Sequence, residues 1–177
     1  MSDRTPIPLA PVPISLDSSE FVTICEWPFA DPFVARLLRG DMPQRVRYGD
    51  GRIWVYRDPA GQLVGFGTID VCDFYGEFTS GRPHPYIPLL AVNPTIKSLG
   101  YGTTIVEHLI GEAALLVNRP GGCHDVLYLD VYTTSTKAIS LYTLCGFEQV
   151  TPNPVPDPLE GGKTYIVMRK RVSVAAS

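Results

Sequence analysis

Between positions 105 and 116 apolar residues return at Ile105, Leu109, Ala113 and Leu116, with Val106, Ile110 and Val117 beside them. That is the spacing of one face of an amphipathic helix, and it predicts a helix over 103–117, ended by Pro120-Gly121-Gly122. Earlier, Arg52–Arg57 and 62–71 alternate or run apolar on either side of Asp58-Pro59-Ala60-Gly61, four residues with reverse-turn chemistry, so the stretch reads as a β-hairpin. Strands are further expected at 20–25, at 86–92, at Val126–Tyr132, at 147–151 and at Thr164–Arg171. A helix is expected over 28–40, with Phe29, Phe33, Leu37 and Leu38 as its apolar face, and another over 136–145. Thr134 or Ser135 can cap the second of these, and Gly146 stands just past its end. Segment 72–84 is turn-rich and suits a loop beside a binding cleft. Strands before and after two helices give an α/β chain with a mixed sheet and helices on its faces.

Composition narrows the picture. A chain of 177 residues suits one domain, expected over 16–172, with a proline-rich tail at 1–15 and a short C-terminal tail at 173–177. Four prolines fall within the first 13 residues, which read as disordered or loosely draped. The apolar fraction of 45% and charged fraction of 19% mark a globular chain, and the net charge of -3 argues against nucleic acid as partner. No apolar run approaches the roughly 20 residues needed to cross a bilayer, so no membrane partner is expected. The opening residues lack the pattern of a secretory leader, which makes the cytoplasm the expected location. Cys25, Cys72, Cys123 and Cys145 are far apart and form no C-x-x-C pair, so neither a metal site nor a redox dithiol is expected. The terminal strand Thr164–Arg171 could present an edge to a second copy in a homodimer, with Lys163, Arg169, Lys170 and Arg171 as charged guards.

Chemistry concentrates at Lys97-Ser98-Leu99-Gly100-Tyr101-Gly102, which lies between the apolar run 87–92 and the helix at 103–117. Two glycines let the backbone turn tightly, and the free N–H groups of a helix's first turn point at whatever anion sits there. A pyrophosphate is the natural guest. A dinucleotide is the poorer fit, because that fingerprint needs a third glycine and Gly100-x-Gly102 is followed by Thr103 and Ile105.

Two stretches together then resemble the GCN5-related N-acetyltransferase (GNAT) family. One is Ile87-Pro88-Leu89-Leu90-Ala91-Val92 followed after four residues by Lys97-x-x-Gly100-x-Gly102. The other is Leu129-Asp130-Val131, then Ser135-x-x-Ala138-Ile139-x-Leu141-Tyr142-x-x-Cys145-Gly146-Phe147-Glu148. Lys97 stands where the family usually has Gln or Arg, and Ser135 where it usually has Asn. Lysine keeps a positive charge without arginine's planar fork, and serine retains a capping hydroxyl.

The resemblance implies a GNAT-like acyl-CoA N-acyltransferase fold, with a mostly antiparallel mixed sheet in which two parallel strands, 87–92 and Val126–Tyr132, splay apart around the pantetheine arm. It implies acetyl-CoA as co-substrate, held by Leu90, Ala91, Val92, Lys97, Ser98, Leu99, Gly100, Tyr101, Gly102, Thr103 and Ser135, and a small or peptide amine as acceptor. Direct attack of the amine on the thioester would then be helped by a backbone N–H at Leu90 or Val92, and by Tyr142 as general acid for the leaving thiolate. The base is not fixed by the resemblance, since some relatives carry a glutamate where this chain has Tyr86. His84 and Glu77 are the candidates placed in the catalytic set, with Asp70, Asp73, Asp130 and a water chain as further options. The missing glutamate also leaves room for a non-catalytic acyl-CoA-binding domain, and toxin-type transfer to aminoacyl-tRNA is a third reading, opposed by the net charge.

Overall fold

The computed structural model describes residues 8–29, 32–48, 51–79, 81–96, 100–119, 121, 123–158 and 160–172. Their contacts gather into two compact units, one drawn from Met1–Val71 and Leu89–Leu109, the other from Cys72–Pro88 and Ile110–Ser177.

In the first unit, β1 (Ala10–Ile14), β2 (Arg52–Arg57), β3 (Leu63–Cys72) and β5 (Leu90–Val92) form an antiparallel sheet in the order β1-β2-β3-β5. The expected hairpin is present. Its turn is closed by Asp58, whose Oδ1 accepts from Ala60 N at 3.0 Å and Gln62 N at 2.8 Å, while Gly61 takes a φ of +81°. Helices α1 (Ser19–Cys25), α2 (Pro32–Arg39) and α3 (Asp41–Tyr48) supply Phe21, Ile24, Leu38 and Met42 to a core with Ile53, Val55, Phe66 and Leu89. Each such buried side chain contributes about 1.5–3 kcal/mol relative to exposure.

Two expectations fail here. Segment 20–25, expected as a strand, is α1: Ser18 Oγ accepts from Phe21 N at 3.2 Å, and Phe21 and Ile24, three residues apart, share the buried face. The cap and this spacing override the β preference of Val22, Thr23 and Ile24. Residues 10–14, expected within a loose tail, pair with β2 from Ala10↔Arg57 to Ile14↔Ile53. Pro11 and Pro13 have the same parity, so their missing N–H groups can both face away from β2, as edge strands allow. The stretches 1–7 and 173–177, read as tails, lie outside the described residues.

The expected single strand 86–92 is two. β4 (His84–Tyr86) belongs to the second unit and β5 to the first, with Pro88, which has no N–H to offer a ladder, between them. Buried Thr68 fixes the start of β5: its N–H and Oγ1 both bond Leu89 O, at 2.9 and 2.8 Å, and Oγ1 accepts from Leu89 N at 3.0 Å. Gly65 and Gly67 of β3 lie against Ile105 and Leu109, in the first part of α5 (Tyr101–Val117). Next to them Tyr56 Oη meets His108 Nδ1 at 2.9 Å.

The second unit holds β4, α4 (Gly76–Thr79), β6 (Val126–Tyr132), α6 (Thr136–Leu144), β7 (Glu148–Gln149), β8 (Val155–Pro156) and β9 (Thr164–Arg171). β4 runs parallel to β6 at Tyr86↔Tyr128, and Ile87 N extends the pairing to Tyr128 O at 3.0 Å. β9 pairs antiparallel with β6 on one side and with β7 and β8 on the other, so it is an interior strand rather than the free edge expected. The proline-rich loop after β7 folds back through β8 to cover that side. No helix among the described residues is long and apolar enough to cross a membrane.

Candidate functional site

In the first unit the glycine turn opens α5. Gly100 has a φ of +87°, a conformation L side chains rarely adopt, and a Cβ placed on it would meet nothing within 4 Å among the described residues. A ligand can therefore approach the backbone there. The first turn of the 17-residue helix holds no acidic residue to compete with an anion, and Thr103 N bonds Gly100 O at 3.1 Å. Tyr101 is buried, while Gly102 and Thr103 are half-buried. Leu90, Ala91 and Val92 are half-buried in β5, the last strand of its sheet, paired to β3 through Gly67, Phe66 and Gly65. Lys97, Ser98 and Leu99 lie outside the described residues. The residues present fit a pyrophosphate: a permissive glycine, an open approach and a helix N-terminus free of carboxylates.

Tyr142, in the second unit, is set by the end of α6. Phe147 N bonds Tyr142 O and Gly146 N bonds Thr143 O, both at 3.0 Å, with Gly146 at a φ of +83°. This is a Schellman motif, and its apolar contact is Phe147 on Tyr142, ring centroids 5.8 Å apart. Burial, then the negative charge of Asp130 and then Cys145, push the Tyr142 phenol well above its ordinary range, so it stays protonated. Ser135 sits at the N-cap of α6, but its side chain makes no capping hydrogen bond, contrary to expectation.

Asp130 emerges as the exposed member of an otherwise buried strand segment. Tyr86 donates from Oη to its Oδ1 at 2.6 Å, so the tyrosine that stands where a glutamate was sought is bonded to a carboxylate on the neighbouring strand. Asp130 also raises the phenols of Tyr75 and Tyr165, in each case second to burial. Tyr86 packs against Tyr75 at 6.0 Å and Phe74 at 5.9 Å. One carboxylate thus accepts a hydrogen bond from the phenol of Tyr86 and acts electrostatically on those of Tyr75, Tyr142 and Tyr165.

The other base candidates are placed elsewhere. His84 is fully buried, with Nε2 3.3 Å from Cys72 Sγ and its ring 4.8 Å from that of Tyr128. Burial lowers its pKa and holds it neutral, which makes it a packed core histidine rather than a solvent-facing base. Asp70 is buried in an ion pair with Arg45 at 3.0 Å, while Glu77 and Asp73 are exposed. The Tyr86–Asp130 bond went unforeseen, although the pairing of β4 with β6 puts Asp130 two residues beyond Tyr128, the register partner of Tyr86.

A sequence model described as the acetyltransferase (GNAT) family matches residues 18–147. The chain is 31% identical over 111 residues to an uncharacterized protein of Mycobacterium leprae (strain TN), a match that takes in 60% of this chain and 28% of that protein. The chain therefore spans well under half the length of that relative. Among solved structures, a protein assigned to the GNAT family from Desulfovibrio desulfuricans superposes with a TM-score of 0.69 at 13% identity, covering 94% of this chain and 100% of the other. A spermidine N-acetyltransferase from Vibrio cholerae, solved in complex with CoA and spermine, gives 0.65 at 15% identity over 93% and 95%. The fold is that of the GNAT acyl-CoA N-acyltransferases, and the chain belongs to the acetyltransferase (GNAT) family.

Proposed function

We propose that this member of the GNAT family transfers an acetyl group from acetyl-CoA to a cationic primary amine. The observation that carries the acceptor class is the exposed Asp130 carboxylate held by Tyr86 at 2.6 Å, whose negative charge is felt by three further phenols and would attract an ammonium group. Acetyl-CoA, when bound, supplies the activated acyl carbon. The glycine turn at Gly100 and the first N–H groups of α5, with Lys97, Ser98, Leu99, Tyr101, Gly102 and Thr103, receive its pyrophosphate, and Leu90, Ala91 and Val92 offer backbone groups to its amide-bearing arm.

An alkylammonium has an ordinary pKa of about 10.4 and must lose a proton before it can attack. Asp130 anchors that ammonium by charge and, being exposed, passes the proton to solvent; Tyr86 keeps the carboxylate in one orientation. As the new N–C bond forms and the C–S bond breaks, the Tyr142 phenol donates its proton to the departing sulfur. Burial keeps that proton on the phenol at neutral pH, and the proton that the acylated nitrogen gives up as the amide forms returns to the phenolate, so the step balances. The carboxylate beside Tyr86 also weakens the reading of a non-catalytic domain, which rested on the missing glutamate.

Calorimetric titration with acetyl-CoA, followed by a free-thiol assay over a panel of amines, tests this reading. The panel should include spermidine, peptide N-termini and lysine side chains. Saturable binding with thiol release that falls in Asp130→Asn supports it. Binding without release for any amine points to the non-catalytic domain, and no binding removes the cofactor.

A further inference from the structure

One face of the second sheet carries a polar cavity that the acetyl-transfer reading does not use. Strand register sets Tyr128 opposite Arg169 and Arg169 opposite Glu148, with Val126 opposite Arg171 in the next row of the same face. Phe78 and His124 complete the lining of a cavity of about 190 Å³. Bulk water occupies roughly 30 Å³ per molecule, so this space admits several waters or a small organic molecule.

Among the described residues, Tyr128 Oη and His124 Nδ1 are the buried side-chain polar atoms without a hydrogen-bond partner, and both residues line this one cavity. Tyr128 is fully buried, and burying a hydroxyl unpaired is unfavourable. The Arg169 guanidinium pulls on the phenol oxygen but leaves it without a hydrogen bond of normal geometry. Asp125 Oδ1 stands 3.8 Å from His124 Nδ1, too far for a hydrogen bond. The lining brings two guanidiniums against one carboxylate, Glu148, which is already engaged by Arg169 Nε at 2.8 Å. At the rim Asp125 Oδ2 also lies 3.9 Å from Arg171 Nε, so the charges nearly balance and what distinguishes the lining is its surplus of donors.

We propose that this cavity binds a small organic carboxylate. The guanidinium groups of Arg169 and Arg171 supply charge, Tyr128 Oη and His124 Nδ1 donate to the carboxylate oxygens, and Phe78 and Val126 border its short apolar chain. Glu148 fixes the Arg169 fork on its other side. The site lies wholly within the second unit and involves neither Tyr142, Asp130 nor the glycine turn, so it stands or falls apart from the acetyl-transfer reading.

Propionate titrated at constant ionic strength and without acetyl-CoA, followed by NMR signals of the arginine Nε–H and histidine ring groups, tests the proposal. The expected result is saturable shifts at Arg169 and His124, an affinity about tenfold weaker in Tyr128→Phe, and a comparable loss in Arg171→Gln. Arg171 is 80% exposed, so its substitution leaves the fold intact. Inorganic phosphate should bind more weakly than propionate; tighter phosphate binding overturns the carboxylate assignment. Shifts that never saturate, or equal affinity in the wild type and Tyr128→Phe, would mean that the unpaired hydroxyl faces only water and would overturn the site.

Discussion

Tyr142 owes its protonation state to its position more than to its type. The Schellman turn at Gly146 closes α6 and brings Phe147 onto the ring, and the resulting burial adds to the repulsion from Asp130 to keep the phenol neutral. A general acid of this kind contributes on the order of 10²-fold or more, so Tyr142→Phe should lower kcat by about that factor with little change in acetyl-CoA affinity. Steady-state kinetics alongside calorimetry separate the two effects. Equal loss of binding and turnover would instead mean that Tyr142 only packs. His84 gives a second residue-level outcome. Its folded pKa lies below the ordinary value of about 6.5, so in the window between the two the unfolded chain binds more protons. Its contribution is full above that ordinary value and is lost as pH falls from there through the lower folded value. Urea midpoints at about pH 7.5 and 5.5 should therefore differ less in His84→Gln than in the wild type.

At the scale of elements, the strongest sequence signals were periodic ones. The α5 stripe, the β2–β3 hairpin, β6 and α6 were all legible because each repeats its apolar pattern over enough residues to outweigh local preference. Short elements were not. α1 hid behind β-branched residues, β1 behind two prolines, and β7 and β8, two residues each, have no period to read. The glycine turn and Tyr142 were legible from motif spacing, whereas the Tyr86–Asp130 bond needed a strand register that no single segment encodes. Packing of β3 on α5 is a similar case, since nothing local marks Gly65 as a contact. A Cβ there would sit 2.5 Å from Ile105 Cδ1 and 3.0 Å from the Ala91 carbonyl oxygen. The isoleucine methyl can shift, but the backbone oxygen of β5 cannot without disturbing the Gly65↔Val92 pairing. Gly65→Ala should cost about 1–3 kcal/mol in urea denaturation, and an unchanged midpoint would show that β5 yields freely.

For the whole molecule, the glycine turn can be tested without knowing the acceptor, because any ligand that binds only the folded chain raises its stability by mass action. Acetyl-CoA at about 100 times its Kd should add about 2.7 kcal/mol to the unfolding free energy of the wild type. Gly100→Glu places a carboxylate where the pyrophosphate is expected, but it also puts a side chain at a φ of +87° and strains the turn with or without ligand. The stability of the variant alone is therefore ambiguous. The difference between its stability with and without acetyl-CoA is not, since the strain is present in both measurements and cancels. That difference should be near zero for Gly100→Glu and largely retained for Gly100→Asn, because asparagine tolerates the left-handed conformation and carries no charge. An equal increment in all three proteins would place the pyrophosphate away from this turn. Loss in both variants would make the turn's glycine backbone, rather than its charge environment, the determinant of binding.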